Sequence, residues 1–183
     1  MPWATWWRAD PLPALSPLQT FSVSGEASTP LLARLAHRSE QEIITRLQTG
    51  HHPYLAFIAD TPVGYGWVAL QEGGIAELKF SFPIPARNAY LWDFLTLPAW
   101  RGRGVYPRLL QAILQQEQRV DRFWIGYEPG NDVSAHGIKK AGFHVIGNFV
   151  YAEGRVCGLA LFGSPERAQA CAAVFHLPIV GAT

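Results

Sequence analysis

Two glycines and three arginines meet at one corner of the chain: Arg101, Gly102, Arg103 and Gly104 follow an apolar run, and Arg108 lies within the apolar-periodic segment beyond. Glycine lets a backbone approach a ligand closely and turn successive N–H groups toward one point. A helix start adds a partial positive charge and more unpaired N–H groups. Together these favour a pyrophosphate, with Arg101 and Arg103 in reach for charge-assisted contacts. The competing reading is an arginine-rich solvated turn. No Gly-Lys-Ser/Thr follows, so this is not a Walker loop, and the spacing is not Gly-x-Gly-x-x-Gly. The chain holds twelve arginines and three lysines. Arginine suits planar bidentate contact with phosphate, although a compositional bias would give the same ratio.

The elements on either side must hold this corner. "AYLWDFLTL" (89–97) is the longest strand-like run and ends at Pro98. After the corner, apolar residues recur at 105, 106, 109, 110, 113 and 114. That spacing predicts a helix with one buried stripe and a polar face of Arg108, Gln111, Gln115 and Gln118. "RFWIGY" (122–127) reads as a strand, Pro129–Gly130 as a turn, and Asn131 as the cap of a short helix that stops at Gly142. Upstream, Ser39 and Glu42 form a capping box opening a helix that ends at Gly50. "YLAFIA" (54–59) and "VGYGWVAL" (63–70) read as a hairpin around Asp60–Thr61–Pro62. "IAELKFSF" (75–82) reads as one further strand. Residues 143–152 and 155–163 form a second hairpin across Glu153–Gly154, and Ser164–Pro165 opens a last helix.

The ends are less regular. Residues 1–29, with tryptophans at 3, 6 and 7 and prolines at 2, 11, 13 and 17, read as an irregular N-terminal arm with a first strand near 19–24. Those tryptophans either pack normally or cover a cleft or another subunit. Residues 164–183 are expected to form a C-terminal helix and tail. The whole, 1–183, fits a single α/β domain with a mixed sheet.

Composition narrows the classes. With 49% apolar and 16% charged residues the chain should fold compactly. A net charge of +1 gives no reason to expect a nucleic-acid or membrane partner. No apolar run approaches the ~18 residues of a spanning helix. The first residues lack the features of a signal peptide, so a cytoplasmic location is the default expectation. Cys157 and Cys171 have no disulfide-framework or metal-ligand spacing. His51 and His52 are adjacent on a strand and point to opposite faces, a poor chelate, so no metal is expected.

"LPAWRGRGVYPRLL" followed by "GNDVSAHGIKKAGF" resembles the GNAT superfamily of acyl-CoA-dependent N-acetyltransferases. The first piece is similar to that family's Gln/Arg-x-x-Gly-x-Gly/Ala segment. The second is similar to its Asn-x-x-Ser…Lys-x-Gly-Phe segment through Asn131, Ser134, Lys140, Gly142 and Phe143. The resemblance covers roughly residues 30–162 and is strongest over 88–143. It implies a GNAT fold: a mostly antiparallel sheet of about seven strands flanked by helices, splayed between strands 89–97 and 122–127. It implies acetyl-CoA as co-substrate. Phe94, Leu95 and Thr96 would pair with the pantetheine amides, and a backbone N–H near Leu95 would polarise the thioester carbonyl. The N–H groups of residues 102–107, thus Gly102, Arg103, Gly104, Val105 and Tyr106 onward, would hold the pyrophosphate beside Arg101. Asn131 would bond the pantetheine arm or its own neighbouring backbone, with Ser134 close by.

The chain also departs from the family pattern. Tyr106 stands where Gly or Ala is usual; in the other register, Ala99 stands where Gln or Arg belongs. Ile138 occupies the place of a tyrosine that protonates the leaving thiolate, and Gly126 that of a glutamate base. Substitutes must come from elsewhere. Asp93, between Trp92 and Phe94, would be pushed by desolvation toward its neutral form, as a base requires, unless it is a structural carboxylate bonded to backbone. Glu128 is a second base candidate, or a solvated loop residue. Tyr151 is the first acid candidate, or an edge-packing residue; Tyr106, Tyr127 and His136 are weaker ones. The aromatic residues of "FSFPIPARNAYLW" would wall an apolar acceptor pocket or fill a core.

The expected activity is direct transfer of an acetyl group from acetyl-CoA to a primary amine of a small molecule or protein. Homodimerisation is left open. The alternative is a non-catalytic acyl-CoA-binding or sensing domain, favoured by Ile138 and Gly126.

Overall fold

The computed structural model describes residues 1–181; Ala182 and Thr183, the end of the expected tail, lie outside the described residues. In chain order the elements begin with β1 (Pro2–Trp7) and β2 (Phe21–Ser24), then α1 (Thr29–Ala36) and α2 (Glu40–Gln48). The hairpin β3 (His51–Ile58) and β4 (Thr61–Ala69) follows, then β5 (Glu72–Ile75), β6 (Phe80–Pro83) and β7 (Asn88–Thr96). After the corner come α3 (Val105–Gln116), β8 (Arg122–Gly126) and α4 (Asp132–Lys140). β9 (His144–Ala152), β10 (Arg155–Leu161), α5 (Pro165–Phe175) and β11 (Ile179–Val180) complete the described chain.

The architecture is α/β, as expected, with nine strands in the main sheet rather than about seven. Their order is β11-β10-β9-β1-β8-β7-β4-β3-β2. Neighbours are antiparallel except β7–β8 and β10–β11. The parallel pair joins Asn88–Leu91 to Arg122–Ile125 and goes no further. Trp92–Thr96 therefore has no partner on the β8 side, and the expected splay lies there. The start of the pairing is pinned by buried Asn88, whose Oδ1 accepts the Trp124 indole N–H at 2.8 Å.

The irregular arm is a correction. Residues 2–7 form an interior strand between β8 and β9, with Trp3 and Trp6 buried on opposite faces. A strand covered on both faces has no polar side to show, so the alternation that marks most strands is missing. Pro2 is tolerated because it is the first strand residue. Residues 8–20 and 25–28 are irregular, and the first of these stretches runs over α3: Arg108 and Gln111 donate to the Ser16 and Pro13 carbonyls.

The expected strand 75–82 is also corrected. A 3-10 turn at Ala76–Leu78, closed by left-handed Lys79, splits it into β5 and β6, a separate two-stranded hairpin. The capping box at Ser39 forms as expected, with Glu42 donating its N–H to Ser39 Oγ and its carboxylate accepting the Ser39 N–H. Ser164 caps α5 through the Arg167 N–H at 3.3 Å.

One sheet face packs on α3 and α4 through Ala89, Leu91, Leu109, Leu110, Ile113 and Ile138. The opposite face is covered by α1 and α2 over Leu55, Tyr65 and Trp67, and by the β5–β6 hairpin and α5 over Trp3, Tyr90 and Trp124. Among the described residues no helix is long and apolar enough to cross a membrane.

Candidate active site

Gly102 and Gly104 both have φ +75°, the left-handed region that favours glycine. Gly104 is the N-cap of α3 and gives it no side-chain cap. The Arg101 N–H is used by the Pro98 carbonyl at 3.3 Å. The N–H groups of Gly102, Arg103, Gly104, Val105 and Tyr106 meet no acceptor among the described residues. Pro107 carries no N–H, so the row of donors expected over 102–107 ends at Tyr106. Five main-chain donors at a helix start make an anion site. Behind it, Arg108 folds back and donates to the Gly104 carbonyl at 2.7 Å.

These donors border a groove of about 600 Å³ that runs from the splayed end of β7 across the starts of α3 and α4. Phe94, Leu95 and Thr96 line it, as do Arg101, Gly102, Gly104, Val105 and Tyr106, together with Asn131 and Ser134. Arg103 does not: its guanidinium stacks on the Trp100 ring, 4.8 Å from the centroid. Trp100 and Val133, which no motif marks, also line the groove, together with His136 and Lys140. Val133 is 82% exposed, an apolar side chain left open at the groove's rim. Lys140 adds a second cation to Arg101 there.

Asn131 lies at the start of α4. Its Oδ1 accepts the Ser134 N–H at 3.0 Å and caps α4. Tyr106, the bulky departure, is accommodated by a second glycine: a Cβ on Gly137 would stand 2.5 Å from its Cδ1. The Tyr106 ring lies 5.4 Å from that of Phe94. Burial pushes its phenol up to about 12, so the hydroxyl keeps its proton at neutral pH.

At the other end of the groove the strand is deformed. Tyr65 faces Leu95 and Trp67 faces Trp92, so Asp93 and Phe94 share the single residue Gly66 opposite. This is a β-bulge, which leaves an extra residue out of the ladder. Asp93 has φ +49°. Gly66 has no Cβ because the Phe94 ring occupies that space. The two glycines of "VGYGW" were the available signal, since glycine inside a strand marks a bulge or a close approach.

The candidate catalytic side chains fare differently. Asp93 is not stranded between aromatic rings: Arg46 of α2 donates to its Oδ2 at 2.5 Å, and the Tyr65 hydroxyl lies 3.5 Å from Oδ1. Arg46 in turn stacks on Trp67 and Trp92, at 5.1 and 4.5 Å. The carboxylate is compensated by a cation, contrary to the desolvated setting expected for a base. Burial and the Asp93 charge push the Tyr65 phenol up to about 12. Glu128 is exposed on the loop after β8 and does not line the groove. Tyr151 is 42% exposed and accepts a 3.4 Å contact from the Met1 ammonium, also away from the groove. Tyr127 is likewise outside it, and Ile138 is fully buried in the core. Of the acid candidates, Tyr106 and His136 reach the groove, and His136 is exposed. No group of three or more potential metal ligands occurs among the described residues.

A splayed sheet with an amide-lined corner beside it leaves a row of main-chain donors open at the end of one strand. Residues 18–143 match the acetyltransferase (GNAT) family, and the chain belongs to that family. No curated protein sequence matches the chain. Among solved structures, AAC(6')-Iy in complex with the bisubstrate analogue CoA-S-monomethyl-acetylneamine is similar at TM-score 0.53 and 15% identity, covering 73% of this chain and 97% of its own. The ribosomal-protein-S18-alanine N-acetyltransferase of Escherichia coli gives TM-score 0.52 and 11% identity, covering 72% and 79%. The aminoglycoside acetyltransferase meta-AAC0020 from an uncultured soil metagenomic sample, in complex with sisomicin, gives 0.52 and 12%, covering 72% and 94%. At these identities the likeness is one of fold.

Proposed function

We propose that the protein transfers an acetyl group from acetyl-CoA directly to a primary amine. The observation that carries this reading is the row of free N–H groups from Gly102 to Tyr106, in a groove that continues along Phe94–Thr96. The pyrophosphate sits on those amides with Arg101 and Lys140 alongside, and the pantetheine runs along the splayed edge of β7. The bulge at Asp93–Phe94 supplies a strand N–H near Leu95 for the thioester carbonyl oxygen. Donors fixed in advance at a point of developing negative charge are commonly the largest single catalytic contribution.

In the transfer the neutral amine attacks the thioester carbonyl carbon. A C–N bond forms, the C–S bond breaks, and its electron pair leaves on sulfur. The amine nitrogen gives up one proton and the thiolate takes one, so amide and free coenzyme A result. Tyr106, protonated and lining the groove, is the acid candidate assigned to this step. Asp93 acts as base only by parting from Arg46. The acceptor is a small-molecule or protein amine, and the chain works in the cytoplasm.

A second reading has its own observation. Asp93 is held by Arg46, and Glu128 and Tyr151 lie off the groove, which suits an acyl-CoA sensor without turnover. Calorimetry with acetyl-CoA, followed by thiol release over a panel of small amines and peptides with free N-termini, separates the two. Binding with thiol release supports transfer; binding with no release across the panel supports the sensor; no binding overturns both.

A further inference from the structure

The sheet face opposite α3 is covered in two pieces, and Trp92 packs against the apolar clusters beneath both. At that seam, between His51 at the start of β3 and the β5–β6 hairpin, lies a cavity of about 430 Å³. Trp92 and His51 form one wall; Gly74, Ile75 and Phe80 of the hairpin form the other, with exposed Lys79 and Ser81 at the mouth. The cavity meets β7 one residue before Asp93, while the coenzyme groove meets the same strand at Phe94–Thr96. A donor on the α3 side and an acceptor on this side would approach the thioester from opposite faces of one strand.

The walls suit a ring. His51 and Trp92 stand edge to face with centroids 5.1 Å apart. His51 Nδ1 and Trp92 Nε1 are buried and without partners among the described residues, so neither of these atoms faces the cavity, and the two rings present mainly aromatic surface to it. Burial, and then the charge of Arg46, hold the His51 pKa below its ordinary value, so the imidazole is uncharged at neutral pH. No carboxylate lines the cavity, and Arg46 already stacks on Trp92, so a second ammonium finds no counter-charge there.

We propose that this cavity selects the acceptor: it holds an aromatic ring carried on a flexible chain that ends in the reacting primary amine. The inference rests on the acetyl-transfer reading above. Across the bulge, Trp92 and Leu95 stand opposite Trp67 and Tyr65, two strand residues apart, roughly 7 Å. The chain must therefore span several bonds, passing Asp93 and the Tyr65 hydroxyl on its way to the thioester. Phenylbutylamine fits that span better than phenylethylamine, and hexylamine has the reach without the ring.

The test uses the full chain with coenzyme A bound and indole N–H groups labelled for NMR, the Trp92 signal being assigned by its loss in Trp92→Phe. Phenylbutylamine is expected to shift that signal and to saturate at a roughly tenfold lower concentration than hexylamine, an aromatic contact beyond plain apolar burial. Gly74→Phe fills the cavity with little strain, since a Cβ at Gly74 meets nothing nearer than the Phe80 carbonyl at 3.9 Å. That variant should lose the shift and keep its coenzyme affinity within about twofold, the two sites sharing no lining residue. With acetyl-CoA, thiol release should favour phenylbutylamine over hexylamine by a similar factor. Equal behaviour of the two amines, or a shift that survives Gly74→Phe, overturns the ring site even if thiol release is seen. Ring binding with no thiol release from any amine leaves the ring site standing and overturns acetyl transfer.

Discussion

The glycine corner and the Asp93 bulge lie on the same strand-to-helix run, yet they are built in different ways. The corner is local. Its donors come from consecutive residues, Gly102 to Tyr106, and its shape from the φ +75° of Gly102 and Gly104. The bulge is assembled from afar: Gly66 makes room for Phe94, and Arg46, 47 positions away in sequence, holds Asp93. A site made of neighbouring backbone should tolerate changes elsewhere and fail at its glycines. A site made of distant side chains should fail through any one of its partners.

The largest effect is expected at the corner. Gly104→Glu places a side chain where φ is +75°, drives its Cβ into the Arg108 guanidinium, and sets a carboxylate against the phosphates. Like charges brought together cost several kcal/mol, so acetyl-CoA affinity should fall roughly 100-fold or more. Calorimetry checks this, with circular dichroism to show that the variant folds. A folded Gly104→Glu that binds as tightly as the parent removes the corner from the cofactor site.

The next effect belongs to the bulge. Asp93→Ala leaves the Arg46 guanidinium, 14% exposed, without its anion. A partly buried unpaired charge costs less than the several kcal/mol of a fully buried one, so a loss of about 2 kcal/mol in denaturant unfolding is expected. Arg46→Met, which removes the charge at the other end, should lose stability too, and the double variant should lose less than the two single losses added together. Acetyl-CoA affinity should hold in all three. Additive losses would mean that the pair is incidental and Asp93 is free to act as a base.

The same contrast explains what could be read from the sequence. The corner was legible because glycine, arginine and a helix start within a few residues carry their chemistry with them. The caps at Ser39 and Asn131 were legible for the same reason. What depended on partners far along the chain was not. Trp3 and Trp6 announce a strand only once β8 and β9 stand on either side. Asp93 looked like a desolvated carboxylate because its immediate neighbours are aromatic, while the residue that pairs with it sits in α2. Arg103 shows the limit within the corner itself: its backbone has the expected place, but its side chain goes to Trp100.

A smaller effect separates the two arginines. Arg101 lines the groove and Arg103 does not, so Arg101→Ala should weaken acetyl-CoA binding roughly tenfold, the loss of a charge-assisted contact. Arg103→Ala should change it by less than about twofold, as a surface substitution does. Raising the salt concentration should erode the Arg101 contribution and leave the Arg103 variant parallel to the parent. Equal losses from both would give the corner a second side-chain clamp and weaken the view that backbone donors dominate it.

The smallest effect lies at the far end of α3. Glu117, the residue after that helix, bonds to His52 Nδ1 and accepts from the Tyr54 hydroxyl, each at 2.9 Å. The Glu117 contact raises the His52 pKa above its ordinary 6.5 in the folded protein. A group whose folded value is raised binds its proton more tightly when folded, so the stability it adds is complete below pH 6.5 and is lost as pH climbs through the raised value. The melting temperature should therefore fall slightly over that window, and His52→Gln should flatten the fall. His52 is half exposed, so the shift is a small one. Acetyl-CoA affinity measured below and above the window should move alike in parent and variant, because the free main-chain donors at the other end of α3 depend on Gly102 and Gly104 rather than on Glu117. Affinity that tracked His52 instead would show the corner to be held from a distance after all, and the difference between the two regions would be one of degree.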